Sequence, residues 1–183
     1  MGRPVRRLTC NRRRDVRLGL SLALLALAAC SPAQPQSRAA GPATAGQEST
    51  ARAQHPVSGL NVVTLTVRNG QRNHSFRVEV AQTAQQQARG LMYREAMGAD
   101  EGMLFPRNPP SPAAFWMKNT VLPLDIIFIG PDGRISNIVA NAQPYSLDPR
   151  QSVGVAAAVL ELNGGRAAEL DISAGDRVEW EES

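Results

Sequence analysis

The stretch FWMKNTVLPLDIIFI, residues 115–129, decides how this chain folds. It holds Trp116, one of two tryptophans, and Lys118, the only lysine beside nineteen arginines. Its second part, Leu124–Ile129, is apolar apart from Asp125 and has the length and branched composition of a buried β-strand. We therefore predict a strand at each end of this stretch, with polar groups that suit a ligand site lying between buried segments.

Two segments before this stretch alternate apolar and polar residues, as a β-strand with one buried face does. The first alternates over residues 63–68 and the second over residues 76–80. Asn69 and Gly70 lie between them, and an Asn-Gly step is a strong signal for a tight turn. The pattern predicts a β-hairpin.

The rest of the domain is expected to supply further short strands and two short helices. Thr83 is placed to cap a helix that runs to Arg89, and a second helix is predicted over residues 166–170. The prolines within 107–112 predict a loop, and so does the composition of 141–152. About seven short strands with two short helices predict a mostly β domain, α+β at the margin, built as a small barrel or sandwich. Additional strands are expected over residues 103–105, 134–139, 156–162 and 177–180.

Residues 1–29 have the composition of an export signal. Seven arginines precede the run 18–29, which is apolar or small throughout and too short to span a bilayer, since a span needs about 20 residues. The arginine cluster also permits twin-arginine export in place of the general route. The run ends in LAAC, which resembles the lipobox of bacterial lipoproteins. That resemblance implies a lipid anchor on Cys30, and Ser31 after it resembles the signal for the outer membrane, facing the periplasm.

The basic character of the whole chain comes from this leader. Seven of the twenty Lys and Arg residues and one of the sixteen Asp and Glu residues fall in 1–29, which leaves thirteen and fifteen, a net charge of −2. Nucleic acid is therefore not an expected partner, because phosphate binding needs clustered positive charge. Residues 30–60, rich in Ala, Pro, Gln and Ser, predict a flexible tether in which His55 is solvated, and residues 61–183 predict the folded domain.

Six motifs in this domain follow one another in the order and spacing of a known family. They are RGLMYR at 89–94, GMLF at 102–105, FWMKNT at 115–120, PLD at 123–125, AVLE at 158–161 and GDRV at 175–178. Together they make residues 61–180 resemble the prokaryotic domain of unknown function 192, DUF192. The resemblance implies a compact, mostly β domain found in secreted, anchored or free proteins, and it brings no established activity.

Catalytic constellations are sparse in the predicted domain. Cys10 lies in the leader and Cys30 at the cleavage point, so the domain has no thiol nucleophile, no disulfide and no thiolate metal site. His74 is its only histidine and lies in a polar stretch beside the predicted hairpin turn. An acid–base hydrolase that pairs Asp125 with Glu161 stays open, since burial in apolar strands raises a carboxyl pKa. A structural ion pair or a turn-stabilising carboxylate is the other role open to each of the two residues.

A Cu(I)-handling site is a further alternative. Four methionines fall within 26 residues, and thioethers select Cu(I). The competing explanation is that methionine fills irregular gaps in an apolar core. We favour the core and expect no cofactor. The four residues are Met92, Met97, Met103 and Met117.

A binding module for a small ligand or an envelope component is the function that the sequence favours. If residues 115–120 form a strand, Trp116, Lys118 and Thr120 share one face and Asn119 points to the other. An aromatic surface, a cation and a hydroxyl suit a small anionic or carbohydrate-like ligand. The predicted site residues are Trp116, Lys118, Asn119 and Asp125, with Arg89, Arg94 and Glu161 near them.

Overall fold

The described part of the chain, residues 53–181, forms nine β-strands and two short helices in a computed structural model. The prediction of a mostly β domain is confirmed. No helix in this part of the chain is long and apolar enough to cross a membrane. The predicted export signal, Cys30 and the tether as far as residue 52 lie outside the described residues.

Nine strands and two helices lie within the described residues. The strands are β1 (Val62–Asn69), β2 (Arg72–Val80), β3 (Glu101–Ser111), β4 (Ala114–Phe115), β5 (Leu124–Ile129), β6 (Ile135–Ala142), β7 (Arg150–Gln151), β8 (Ala156–Asn163) and β9 (Arg177–Trp180). The helices are α1 (Ala84–Arg89) and α2 (Arg166–Glu169).

Seven of these strands form one sheet in the order β6-β5-β8-β3-β2-β1-β9, and β4 pairs with β7 in a second, two-stranded sheet. Only the β2–β3 pair is parallel among the described strands. The large sheet is not closed, but its two edges meet at one corner. There the Ile135 N–H donates to the Asp176 carbonyl (2.9 Å) and the Val178 N–H donates to the Gly133 carbonyl (2.8 Å). A sheet whose opposite edges touch must curl, so the fold is an open barrel.

The two clearest local signals in the sequence are confirmed. β1 and β2 form an antiparallel hairpin with Leu65 opposite Phe76, and Gly70 enters the turn with a φ of +57°, which glycine adopts without steric strain. Thr83 caps α1, because its side chain accepts from the Gln86 N–H (3.2 Å) while the Gln86 side chain accepts from the Thr83 N–H (2.8 Å). Both elements follow from residues close together in the chain.

Both faces of the central strands are covered, which gives the domain two apolar cores. The first lies inside the barrel, and the second lies on the outer face beneath the segments around Leu91 and Met117. β5 serves both, since alternate residues of a strand point to opposite faces. Ile127 belongs to the first core and Ile126 to the second, and all six β5 residues are buried.

Residues 115–120 do not form the strand that their sequence predicts. β4 ends at Phe115, and the chain then turns at Asn119, which has a φ of +54°. Asparagine tolerates this left-handed backbone because its short polar side chain bonds locally. Met117 is fully buried in the second core and holds the loop down. The face assignment that assumed a strand is therefore wrong, since a loop lacks the two-residue alternation.

The proline-rich segment 107–112, predicted as a loop, belongs largely to β3. Pairing of β3 with β8 is regular as far as Pro106 opposite Ala158 and resumes at Ser111, after a shift of register. Pro109 lies in the irregular part between them, where the strand does not need its ladder N–H. The loop prediction is wrong because prolines are compatible with a strand wherever the ladder is interrupted.

The last part of the predicted tether, residues 53–60, lies against the domain, and we call it the strap. The Val62 N–H donates to the Ala53 carbonyl (2.7 Å), and the His55 side chain is only 13% exposed. The prediction that His55 is a solvated tether residue is wrong. Composition alone does not predict the strap, because its polar residues are typical of a linker. In the structure these polar side chains bind one specific partner on β2.

That partner is Glu79, a β2 carboxylate that is buried. Its Oε1 lies 2.9 Å from Arg94 Nη2 and 3.6 Å from His55 Nε2, and the Ser58 hydroxyl donates to its Oε2. One buried charge therefore joins the strap, β2 and the segment that follows α1. Such partners are necessary, because desolvating a lone carboxylate costs on the order of several kcal/mol.

Replacing Arg94 with methionine should lower the free energy of unfolding by about 3–5 kcal/mol, because it leaves the Glu79 carboxylate buried without its cation. Urea denaturation at neutral pH measures the loss. Arg89→Met is the matched control, since that guanidinium is exposed, and it should change stability by no more than about 0.5 kcal/mol. Equal effects of the two substitutions would contradict the role given to Glu79.

Candidate functional site

A cavity of about 290 Å³ opens beside the loop that carries Trp116. We call it the Glu161 cavity, after the carboxyl that lines it. Its walls come from α1 and the turn after it, from β3, from the 114–120 segment and from β8. The residues that define its chemistry are Glu161, Thr120, Arg89, Arg107 and the aromatic side chains Phe105, Phe115 and Trp116.

Glu161 is the buried polar group of this cavity. It lies on β8 between Met103 of β3 and Ile126 of β5, and it is 5% exposed. Within residues 53–181 its carboxyl has neither a hydrogen-bond partner nor an ion-pair partner. Burial without such a partner raises the pKa of Glu161 from 4.5 to about 8. At neutral pH the group is therefore a protonated acid that offers a hydroxyl donor to the cavity.

Trp116 forms part of the cavity mouth and is 50% exposed. Its neighbour Met117 is fully buried, and the Met117 N–H donates to the Ser146 carbonyl (2.9 Å), so the loop is fixed while the indole beside it stays outside. Lys118 is exposed and its Nζ lies 5.2 Å from the Trp116 ring centroid. Lys118 therefore lies against the indole at the surface and is not among the cavity-lining residues. Such a cation–π contact is worth about 0.5–1 kcal/mol at an exposed site.

The opposite wall is the end of α1 and the start of the turn after it. Gly90 has a φ of +48°, and a Cβ there would lie 3.4 Å from the Phe105 ring, so glycine lets the backbone cross that ring closely. Arg89 lies over the Tyr93 ring at 5.5 Å. Arg107 is held by the Ser111 hydroxyl, which accepts from its Nε at 3.2 Å and from its Nη2 at 3.0 Å. Two guanidinium groups thus flank the cavity.

Besides Lys118, three more predicted site residues do not line the cavity. Arg94 pairs with Glu79 and faces the strap. Asn119 does not line the cavity, but its carbonyl accepts from the Tyr93 N–H (2.8 Å) and joins the Trp116 loop to the turn after α1. Asp125 is fully buried and accepts three backbone N–H groups. Its Oδ1 accepts from Asn141 (2.7 Å) and Gly165 (2.9 Å), and its Oδ2 accepts from Ala167 (2.7 Å).

The register of the sheet separates the two carboxylates of the hydrolase hypothesis. Glu161 lies opposite Ile126, whose side chain belongs to the outer core, whereas Asp125 lies opposite Leu162, which belongs to the inner core. Asp125 and Glu161 therefore point to opposite faces of the sheet and cannot act as a catalytic pair. This corrects the alternative that paired them. His74 lies on β2 opposite Val67 and does not line the cavity.

The methionines do not form an evident metal site. Met103 and Met117 are completely buried in the outer core, where their burial favours packing over metal binding. Met97 packs against the same core, and Met92 lines the cavity, where its sulfur lies 3.9 Å from Asn119 Nδ2. Among residues 53–181 no group of three or more His, Cys, Asp and Glu side chains is arranged to hold a metal ion.

Two larger hollows are not lined by a buried carboxyl. One of about 820 Å³ lies along the irregular part of β3 beside Pro109 and Trp180, and the residues that line it include no carboxylate. The other, of about 690 Å³, runs between the strap and the turn after α1, and it shares Arg89, Gly90 and Met92 with the Glu161 cavity. Size alone would select the first hollow, but the unpartnered buried carboxyl makes the smallest of the three the stronger candidate.

Sequence reasoning missed several residues of the cavity. Phe105 and Arg107 lie on β3, and Met92 in the turn after α1, at sequence distances that no local pattern connects. Phe115 and Thr120 could have been predicted as site residues, since they lie close to Trp116 in the stretch 115–129. Of the predicted residues, the structure brings together Trp116, Arg89 and Glu161.

The sequence of the folded domain shows the family to which this chain belongs. Residues 65–180 match the DUF192 family, described as "Uncharacterized ACR", and the chain belongs to that family. No match to a curated protein was found.

Two solved structures are similar to this chain. A protein of unknown function from Novosphingobium aromaticivorans is 56% identical, with a TM-score of 0.70, and the match covers 73% of this chain and 95% of that one. A protein from Sinorhizobium meliloti, whose name proposes a role in transcription regulation, is 42% identical with a TM-score of 0.65, and the match covers 66% and 95%. These likenesses agree on the fold.

The raised pKa of Glu161 makes stability depend on pH in a defined direction. Between about pH 4.5 and pH 8 the folded protein keeps the Glu161 proton while the unfolded chain loses it, so the free energy of unfolding falls as pH rises. This group contributes at most about 1.4 kcal/mol per pH unit. Glu161→Gln cannot ionise and should remove that contribution, which urea denaturation at about pH 5.5 and pH 7.5 measures.

Glu181→Gln is the control for this pH experiment, because Glu181 is exposed. It should keep the pH dependence of the unaltered protein. An unchanged pH dependence in Glu161→Gln would show that Glu161 ionises normally in the folded state.

Proposed function

We propose that this DUF192 domain binds a small ligand in the Glu161 cavity without transforming it, and that a lipid on Cys30 holds the domain at the bacterial outer membrane, facing the periplasm. The observation that carries the binding proposal is the buried Glu161 carboxyl, which lines an open cavity and has no partner within residues 53–181. A ligand supplies the missing partner.

The energetic cost of Glu161 supports this assignment. Placing a carboxyl among apolar side chains costs free energy, because its charged form loses hydration. An apolar side chain between Met103 and Ile126 would avoid that cost and would extend the outer core. Perturbed carboxyls in clefts are a recurrent mark of functional sites, and here the perturbation comes from burial alone.

The lining of the cavity supports binding over catalysis. Its thirteen residues include one carboxyl and no His, Cys or Ser. The Thr120 hydroxyl donates to the Lys118 carbonyl (3.2 Å), so it already has an acceptor. A nucleophile would need a base within hydrogen-bond reach, and the Thr120 hydroxyl bonds a backbone carbonyl instead. A carboxyl surrounded by aromatic side chains instead suits recognition.

Binding is tested by the fluorescence of Trp116, with Trp180→Phe introduced so that Trp116 is the only indole in the chain. Leucine, glucose and benzoate represent amphoteric, neutral and anionic small ligands. We expect at least one of them to change the Trp116 emission and to raise the melting temperature, since a ligand at 100 times its Kd stabilises by about 2.7 kcal/mol.

The control substitutions separate the cavity from the surface around it. Glu161→Leu should abolish both responses, and Glu181→Gln should leave them unchanged. A ligand whose responses survive Glu161→Leu would place the site elsewhere. No response to any of the three classes in the unaltered cavity would overturn the binding proposal.

Anchoring is tested separately on the full chain expressed in a bacterium. With Cys30 present, the protein should sediment with the outer-membrane fraction and incorporate labelled palmitate, because the lipid is the attachment. Cys30→Ser should lose both properties, and Cys10→Ser should keep both because it lies in the part that is removed. Sedimentation and labelling that persist in Cys30→Ser would contradict the anchor.

A further inference from the structure

We infer that the ligand of the Glu161 cavity is a small amphoteric molecule, with an ammonium group that pairs with Glu161 and a carboxylate that the basic rim binds. This inference rests on the proposed function and specifies its ligand class. A free amino acid with a compact apolar side chain has this chemistry.

The interior of the cavity favours a cation. Glu161 contributes a carboxyl, and the rings of Phe105 and Phe115 line the same space. Phe105 and Phe115 pack edge to face with centroids 5.0 Å apart. Aromatic faces carry negative potential and attract ammonium groups, most strongly where water is excluded.

The rim of the cavity favours an anion. Arg89 and Arg107 both line it, and Glu161 is the only acidic residue in the lining. Within residues 53–181 the Arg89 guanidinium has no hydrogen-bond or ion-pair partner, and its contact is with the Tyr93 ring. Arg107 uses Nε and Nη2 to hold Ser111 and the Pro112 carbonyl. A planar guanidinium with free N–H groups matches a carboxylate in geometry and charge.

The size of the cavity restricts the ligand further. A volume of about 290 Å³ lies at the lower end of the range of small-molecule pockets, which is about 300–1,000 Å³. A ligand of about ten non-hydrogen atoms therefore has room in it. The apolar part of such a ligand would contact Leu91, Met92 and Phe105, which also line the cavity. Leucine has the required size and both charged groups.

Binding of an ammonium group to Glu161 moves one proton. The empty cavity holds the carboxyl in its protonated form below about pH 8. Pairing with an ammonium favours the carboxylate, so the Glu161 proton leaves to the buffer while the ligand keeps its own protons. A neutral hydroxyl ligand requires no such release, because it bonds the protonated acid directly.

The test uses the full purified chain and three molecules that differ by one group each. They are L-leucine, 3-methylbutylamine, which lacks the carboxylate, and 4-methylpentanoate, which lacks the amine. Titration calorimetry near pH 6.5 in two buffers of different ionisation enthalpy gives the Kd and the protons released. We expect leucine to bind about tenfold or more tightly than either fragment, with release approaching one proton per molecule.

Two substitutions show which side chain binds the ammonium group of the ligand and which binds its carboxylate. Glu161→Gln, which keeps the size of the side chain, should weaken leucine and 3-methylbutylamine about tenfold or more and leave 4-methylpentanoate unchanged. Arg89→Met should weaken leucine and 4-methylpentanoate and leave 3-methylbutylamine unchanged. A melting temperature measured for each variant shows that the cavity is still folded.

The outcomes separate this inference from the proposed function. If glucose or benzoate binds in a Glu161-dependent way and leucine does not, the amphoteric class is wrong and the binding module stands. Leucine binding without proton release, or binding that is unaffected by Glu161→Gln, also overturns the inference. If leucine, glucose and benzoate all fail to bind, both proposals fall.

Discussion

The complete burial of β5 is the constraint on which the rest of the domain depends. Its six residues lie between two apolar cores, and its one charged side chain, Asp125, therefore needs partners inside the protein. Three backbone N–H groups from Asn141, Gly165 and Ala167 meet that need. The carboxylate thereby fixes the end of β6 and the beginning of α2 against β5. A residue that resembles a catalytic acid in the sequence is thus a structural centre, because three of its roughly four lone-pair positions accept backbone N–H groups.

The domain contains three buried carboxylates within residues 53–181, and each is accommodated differently. Asp125 is bound by backbone N–H groups, and Glu79 is bound by a guanidinium and a hydroxyl. Glu161 has neither and keeps its proton instead. Asp125 and Glu79 have partners inside the domain, so these two carboxylates hold segments together. Glu161 has no partner in the isolated domain. This difference, more than cavity size, distinguishes the candidate site from the two structural clusters.

Local patterns predicted the elements that local physics determines. The β1–β2 hairpin and the capped helix α1 follow from residues a few positions apart, and the mostly β class follows from several such segments. The Trp116 loop could not be predicted in this way, because residues 115–120 alternate as a strand does. In the structure Asn119 turns the chain and Met117 packs into the core. The cavity could be predicted only in part. Trp116 and Glu161 were identified by composition, but their meeting with Arg107 depends on the register of β3 with β8.

Under the proposed attachment through Cys30, the strap has a mechanical consequence. Tension applied through the preceding chain reaches residues 53–60 before it reaches β1. The contacts that resist it first are the backbone bond between Ala53 and Val62 and the contacts of His55 and Ser58 with Glu79, which are few, whereas the β1–β2 ladder behind them is long and continuous. The strap would therefore detach from the domain at a lower force than the force that unfolds the barrel. The strap also forms one wall of the hollow of about 690 Å³ beside the turn after α1. Such a force would therefore open that hollow without unfolding the domain.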